Sequence, residues 1–228
     1  MKGTRVDGEH RTPSRRRNVT IGATAVALLL SGGLLLALGT SRQQPSPPSA
    51  TAKGGAVATA RPDPAATPPG ATNTAALPAS RPVSIAIPTL KVNSTLETLD
   101  LGKNRAMETP RDPDKAGWYR PGATPGAMGP AVIAGHVTWN GTPAVFFKLG
   151  RLNPGDRINV RRADGRTAEF TVDRTARYPK DRFPTVEVYR NLDHAGLRLI
   201  TCGGDYSKKD SRYADNVVVY AALTGSHA

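Results

Sequence analysis

From Val83 onward, the chain alternates apolar and polar side chains in short runs, which is the pattern of half-buried β-strands. Alternating runs begin near Val83, Ile158 and Leu197, and continuous apolar runs occupy Ala131–Ala134 and Val217–Tyr220. Pro, Gly, Asn and Asp residues that favour turns separate these runs. Short strands with closely spaced turns predict one all-β domain, either a barrel or a sandwich.

Helical spacing is scarce in this region. The best candidate runs from Pro143 to Leu149, where Val145, Phe146 and Leu149 predict one short apolar helical face. A domain of about 140 residues is large enough to form a single closed barrel with its own core. We find no internal repeat in the sequence.

The N-terminal part of the chain has the pattern of a membrane anchor. Three arginines, Arg15, Arg16 and Arg17, precede an uncharged stretch from Asn18 to Ser41, which provides the roughly 20 apolar residues of a spanning helix. Basic residues stay on the cytoplasmic side, so the C-terminal part should lie outside the cell. A cleaved signal peptide is the alternative, although its apolar region is normally shorter, about 7–15 residues.

The composition changes again after the apolar stretch. Residues 41–82 contain nine of the 20 prolines and no aromatic residue, so this segment cannot bury a core. We therefore predict a basic cytoplasmic tail at 1–17, a single-pass anchor in the cell membrane at 18–40, a disordered linker at 41–82 and a folded extracellular domain at 83–228. The linker is either an extended spacer or a tail with no spacing role.

The net charge is +13, divided as +4 in residues 1–17, +3 in 18–82 and +6 in 83–228. Nucleic-acid binding, which a basic chain otherwise indicates, ranks last because the chain is exported and its basic residues alternate with acidic ones. A single cysteine excludes an intrachain disulfide framework and a Cys-based zinc site. The four histidines are scattered, so we predict no metal site and no cofactor.

The single cysteine is the first candidate for chemistry. Cys202 follows the alternating run Leu197–Thr201 and precedes Gly203-Gly204, which predicts a thiol held at the end of a strand. A lone thiol in an exported protein is exposed to oxidation, so its presence suggests a function. The alternative is a buried cysteine that packs as a small apolar side chain.

A cysteine nucleophile needs a base or a cationic partner. His136 ends the run Ala131–Ala134, after a glycine that leaves room around its ring, whereas His194 lies in a polar turn. We therefore predict His136 as the acid–base group. Arg212 lies ten residues after Cys202 and just before the last strand, where its always-charged guanidinium is suited to stabilise an oxyanion.

Three motifs, in this order, resemble those of sortases: Ala134–Trp139 (Ala-Gly-His-Val-Thr-Trp), Leu199–Gly204 (Leu-Ile-Thr-Cys-Gly-Gly) and Tyr213–Val219 (Tyr-Ala-Asp-Asn-Val-Val-Val). The second and third motifs look most like the class F sortases of actinobacteria. The resemblance covers residues 83–223 and implies a closed eight-stranded β-barrel with one or two short helices. It also implies a cysteine transpeptidase.

The resemblance implies Cys202 as nucleophile, His136 as general acid and base, and Arg212 as the oxyanion arginine. The arginine position departs from the family pattern. Many sortases carry the arginine directly before Asp-Asn, where this chain has Ala214. Arg212 is two residues earlier, which keeps it on the same face of a strand.

Substrate contacts are also predicted beside the catalytic residues, at Thr138, Thr201 and Gly203. The resemblance implies that the substrates are secreted proteins with a C-terminal Leu-Pro-x-Thr-Gly sorting signal, and that a cell-wall precursor supplies the acceptor amine. Water in place of the amine gives hydrolysis. We expect a monomer, with the segment from Arg177 to Glu187 either flanking the substrate groove or serving as an ordinary connection.

Two other functions remain open from sequence. One is another exported cysteine acyl-transferase, such as an L,D-transpeptidase, although Thr201–Gly204 does not match the Ser-x-Gly-Cys motif expected there. The other is a non-catalytic anchored domain that binds anionic wall polymers through arginines between Arg151 and Arg166. Thiol reactivity separates these two, because a binding domain should tolerate the loss of Cys202.

Overall fold

The computed structural model describes residues 46–48, 74–103 and 105–228. The predicted cytoplasmic tail at 1–17 and the predicted membrane anchor at 18–40 lie outside these residues, as does most of the predicted linker. Within the described ranges, no helix combines the length and the apolar character of a membrane span.

Strands dominate the described part of the chain, which contains one short α-helix. The strands are β1 (Pro82–Ile87), β2 (Val92–Leu99), β3 (Ala116–Tyr119), β4 (Gly129–Ala134), β5 (Thr138–Trp139), β6 (Thr142–Pro143), β7 (Arg157–Arg162), β8 (Thr167–Pro179), β9 (Ala195–Ser207) and β10 (Arg212–His227), and the helix is α1 (Thr185–Tyr189). Single 3₁₀ turns lie at Pro88–Leu90, Leu149–Arg151 and Lys180–Arg182.

Eight of these strands form a closed barrel in the order β1-β2-β3-β4-β9-β10-β8-β7, and pairing of β7 with β1 closes it. The pairs β2–β3 and β4–β9 are parallel, and the other pairs are antiparallel. The short strands β5 and β6 form a separate hairpin. The predicted all-β, closed eight-stranded barrel with few helices is therefore confirmed.

The apolar positions that alternate along the strands fill the barrel interior. Ile85, Ile158, Phe170 and Leu197 are fully buried, and each comes from a different strand. Removing one such side chain from water contributes about 1.5–3 kcal/mol to folding. The alternation predicted from the sequence is thus the alternation between the interior and the exterior of the barrel.

The helix predicted over Pro143–Leu149 is wrong. The segment forms turns and enters the 3₁₀ turn at Leu149–Arg151. The N–H of Phe146 donates to the carbonyl of His136, 3.0 Å away and ten residues earlier, so it cannot make the i→i−4 bond of an α-helix. Phe146 and Leu149 are fully buried, so their spacing indicated burial without helix formation.

The end of the predicted linker is hydrogen-bonded to the barrel. The N–H of Leu77 donates to the carbonyl of Gly126 at 2.7 Å. Arg162 in β7 is buried, donates to the carbonyl of Pro78 and pairs with Asp164 at 2.8 Å. A buried guanidinium therefore holds the chain that leads into β1.

Candidate active site

Cys202 lies in the interior of β9 and not at its end, because the strand continues to Ser207. On one side, the ladder between β4 and β9 stops at Ala134, before it reaches the level of Cys202. On the other side, Asn216 of β10 lies directly opposite Cys202. The thiol is therefore held by one neighbouring strand and is open on the side where β4 has ended.

His136 lies just after β4, in the turn that leads to β5. Its ring Nε2 is 2.8 Å from the carbonyl oxygen of Pro110. Because a carbonyl can only accept a hydrogen bond, Nε2 carries the proton and Nδ1 has the lone pair in the neutral ring. The ring also packs edge-on against Trp139, with centroids 4.9 Å apart. These two contacts fix both the tautomer and the orientation of the imidazole.

Gly135 makes room for a core side chain, where the sequence led us to expect room for the imidazole. A Cβ at this position would lie 2.6 Å from the ring of Phe146, closer than carbon atoms can pack. The Gly135 N–H donates to the carbonyl of Ile200 at 3.1 Å, and its carbonyl accepts from the Thr201 hydroxyl at 2.8 Å. The backbone before His136 is thus fixed directly to β9.

One open cavity, of about 310 Å³, is lined by Cys202, His136 and Arg212 together. Thr138, Trp139 and Lys180 also line it, and no carboxylate does so among the described residues. The same part of the chain contains no group of three or more His, Cys, Asp or Glu side chains placed to hold a metal ion.

Arg212 is the first residue of β10 and lies opposite Ser207 of β9. Arg212 and Ala214 are exposed while Tyr213 between them is buried, so the two outer positions share one face of the strand. The ladder shifts register between Tyr213 and Asp215. Arg212 lines the same cavity as the thiol, whereas Ala214 does not.

The three predicted substrate contacts occupy different environments. Thr138 lines the cavity, and its hydroxyl pairs with that of Tyr213 at 2.9 Å. Thr201 is buried, does not line the cavity and directs its hydroxyl to the carbonyl of Gly135. Gly203 continues β9 immediately after the thiol.

Replacing Thr201 with valine, which keeps the shape but loses the hydroxyl, should lower kcat for a peptide substrate and leave KM unchanged. The carbonyl of Gly135 loses its buried donor, so the backbone that carries His136 is held less firmly, and the free energy of unfolding should fall by about 1 kcal/mol. Steady-state kinetics and urea unfolding measure both effects. A raised KM with unchanged kcat would instead support the predicted substrate contact.

Lys180 contacts the thiol, although the sequence did not single it out. Its Nζ donates to Cys202 Sγ at 3.3 Å. It begins the 3₁₀ turn after β8, within the segment Arg177–Glu187, for which the sequence left open a position beside the groove or an ordinary connection. Pairing of Pro179 with Asp215 brings the end of β8 to the level of the thiol. This placement depends on strand register, so no local motif could have indicated it.

The basic side chains that line the cavity favour a negative charge inside it. His136, Lys180 and Arg212 all line it, and two of these side chains are permanently cationic near neutral pH. A thiolate, or the oxyanion formed when it attacks a carbonyl, is stabilised by such neighbours. The arrangement can therefore support nucleophilic acyl transfer through cysteine.

Comparisons with known proteins give the family. Sortase A from Corynebacterium diphtheriae is 22% identical with a TM-score of 0.50, over 64% of this chain and 62% of that chain. Sortase A from Listeria monocytogenes is 23% identical with a TM-score of 0.49, over 66% of this chain and 90% of that chain. At these identities, the C. diphtheriae similarity shows a shared fold. No curated protein sequence matches.

The family model described as a sortase domain matches residues 85–224. This match covers more than half of the chain and includes β2 to β9 completely, together with all three residues of the predicted catalytic set. The chain therefore belongs to the sortase family, whose domain indicates a cysteine transpeptidase.

Proposed function

We propose that this sortase is anchored in the cell membrane, cleaves a Leu-Pro-x-Thr-Gly sorting signal on secreted proteins and transfers them to a cell-wall amine. The observation that carries the proposal is the single cavity lined by Cys202, His136 and Arg212 on a sortase barrel. The Cys-Gly-Gly and Asp-Asn-Val-Val-Val motifs favour a class F enzyme of an actinobacterium. The arginines before the apolar stretch 18–40 favour an anchor with a cytoplasmic N-terminus and an extracellular barrel.

In the acylation step, the thiolate of Cys202 attacks the carbonyl carbon of the Thr-Gly bond. The carbonyl oxygen gains a negative charge, which the guanidinium of Arg212 stabilises. Since Nε2 of His136 donates to Pro110, Nδ1 is the nitrogen that takes up the proton lost by the Cys202 thiol and delivers it to the leaving amine. The C–N bond breaks, and a thioester links the substrate to Cys202.

In the second step, an incoming amine attacks the thioester carbon. His136, now neutral at Nδ1, accepts the proton that the amine loses. The C–S bond breaks, the thiolate of Cys202 leaves, and a new amide joins the substrate to the acceptor. Water in place of the amine gives a carboxylic acid by the same route.

A buried apolar cluster lies along β9, beside a second cavity. Ile200 lies two residues before Cys202 and therefore on the same face of the strand, where it packs in a cluster with Val132 and Val188 of α1. A cavity of about 670 Å³ opens beside Val132 and is lined by Tyr189. We assign the leucine and proline of the signal to this cavity.

The decisive experiment incubates the full-length protein in detergent with Leu-Pro-x-Thr-Gly peptides and follows the intact mass. A mass increase equal to the acyl fragment ending in threonine is expected, and a Cys202→Ala variant should show none. A thiol that reacts with alkylating agents but forms no adduct across a peptide library would indicate another cysteine acyl-transferase. An inert thiol without turnover would indicate a wall-binding domain.

A further inference from the structure

The sulfur of Cys202 and the ring of His136 have different partners in this structure. Lys180 Nζ donates to Cys202 Sγ at 3.3 Å, whereas His136 Nε2 bonds to the carbonyl of Pro110 at 2.8 Å. The imidazole is thus held as a hydrogen-bond donor to the backbone. The lysine is the cation in hydrogen-bonding contact with the thiol.

We propose that Lys180 is a catalytic residue whose ammonium group pairs with the thiolate of Cys202 in the resting enzyme. The inference rests on the proposed role of Cys202 as nucleophile. It divides the chemistry between two residues: Lys180 keeps the sulfur anionic, and His136 transfers protons to and from the amine. Arg212 keeps its proposed role at the carbonyl oxygen.

The charged side chains that line the cavity beside the thiol all favour an anionic sulfur. On β10, Asp215 lies opposite Gly203 with its carboxylate beside Gly204, and it does not line the cavity. His136 faces the cavity from the turn after β4, Lys180 from the connection after β8, and Arg212 from β10. The remaining titratable groups that line it are the phenols of Tyr206 and Tyr213, which are neutral near pH 7. No carboxylate among the described residues lines the cavity to pair with these cations.

The position of Lys180 favours a strong interaction. Its side chain is half-buried, as is Cys202, so solvent screens the pair less than it would a surface pair. Residue 180 also follows directly on Pro179, whose pairing with Asp215 fixes the end of β8 in the barrel. The backbone of Lys180 is therefore fixed at the end of β8, one strand away from β9 across β10, and its side chain extends to the thiol.

The proton balance of the reaction is compatible with this pairing. Lys180 keeps its proton throughout. The proton that the Cys202 thiol has lost resides on Nδ1 of His136, and it passes from there to the leaving amine. When the thioester forms, the sulfur loses its charge and the ion pair with Lys180 ends. When the acceptor amine resolves the thioester, the thiolate returns and pairs with the same ammonium group.

The test measures alkylation of the full-length protein by iodoacetamide as a function of pH. In Lys180→Met, which keeps the chain length but loses the charge, the pH of half-maximal rate should rise by about one unit, with about tenfold slower alkylation near pH 6. Lys180→Arg should retain most of the reactivity. Lys148→Met is the matched control, because Lys148 is exposed and does not line the cavity.

A variant of His136 tests the alternative, in which the imidazole and not Lys180 pairs with the thiolate. His136→Ala should shift the alkylation profile less than Lys180→Met does. If His136→Ala shifts the profile and Lys180→Met does not, the thiolate is paired with the imidazole and the proposal is overturned. Alkylation requires no peptide, so this outcome is independent of whether the sorting-signal proposal holds.

A second readout separates chemistry from folding. Once a peptide substrate is available, Lys180→Met should lower kcat/KM about tenfold near pH 6 but much less near pH 9, where thiols ionise without help. A structural defect would lower the rate equally at both pH values. An equal loss at both would therefore also overturn the proposal.

Discussion

His136→Ala should cleave a Leu-Pro-x-Thr-Gly peptide about 10²–10⁴ times more slowly than the unmodified enzyme, which is the usual contribution of general acid–base catalysis. The reason is the leaving group. An amine leaves as a poor anion unless it is protonated, and we propose that Nδ1 of His136 supplies this proton. Rates of peptide cleavage under substrate saturation measure the effect.

A thioester analogue of the peptide sharpens this test, since a thiol leaves readily as an anion. His136→Ala should acylate Cys202 from this analogue at close to the rate of the unmodified enzyme. Equal losses with both substrates would mean that His136 positions the substrate and does not transfer a proton.

The matched control is His194→Ala. His194 is exposed in a turn and pairs with Asp193 at 2.8 Å, and it does not line the cavity. This variant should cleave the peptide at the unmodified rate. A comparable loss in both histidine variants would point to a general effect on folding.

Arg162→Met should lower the free energy of unfolding by about 3 kcal/mol, the largest effect on stability that we expect from a polar side chain here. The guanidinium of Arg162 is buried and donates to the carbonyls of Pro78 and Pro125 and to the carboxylate of Asp164. Removing it leaves two carbonyls without this donor, each at a cost of about 1–3 kcal/mol. Gly126 maintains the space for the guanidinium, because a Cβ there would lie 2.7 Å from Nη1.

Urea unfolding in detergent, followed by tryptophan fluorescence, measures this change. Trp118 is buried and Trp139 is partly exposed. The fluorescence of both should change when the barrel unfolds. Arg161→Met is the control, since Arg161 precedes Arg162 in β7 and is exposed. A midpoint equal to that of Arg161→Met would contradict the structural role of Arg162.

The ion pair between Arg162 and Asp164 also makes the stability of the fold depend on pH. The hydrogen bond from Arg162 lowers the pKa of Asp164 below its usual value. The folded state thus favours the charged carboxylate, and this contribution to stability is complete above the unfolded-state pKa of about 3.9. It is lost as the pH falls through the lowered pKa, so Arg162→Met should show a weaker loss of stability in acid.

Local patterns predicted much of the barrel, because period-two alternation reflects which side of a strand is buried. The runs at Val83, Ile158 and Leu197 are strands β1, β7 and β9. The short strand β3 was not predicted, since it pairs with β2 and β4, which are distant in sequence. The hairpin of β5 and β6 was not predicted because strands of two residues are too short to show alternation. The segment Pro143–Leu149 shows the same limit, because the N–H groups of Val145 and Phe146 bond to the carbonyls of Pro113 and His136, outside the segment.

Local motifs likewise indicated some residues of the candidate site but not others. Cys202 lies within a recognisable strand and His136 just after one, so their neighbourhood could be inferred from motifs. Lys180 could not be inferred, because its contact with the sulfur depends on how β8 pairs with β10. The carbonyl of Pro110, which fixes the histidine tautomer, lies in an irregular segment whose path the sequence does not indicate.

The close approach of Gly135 to Phe146 joins the barrel core to the residue before His136. Any larger residue at 135 must displace the Phe146 ring, so the order of mutation matters in directed evolution. Phe146→Leu first creates space at some cost in packing, after which Gly135→Ala becomes tolerable. Gly135→Ala first meets the full overpacking penalty. Variants of the histidine loop are therefore reached more readily through a prior change in the core.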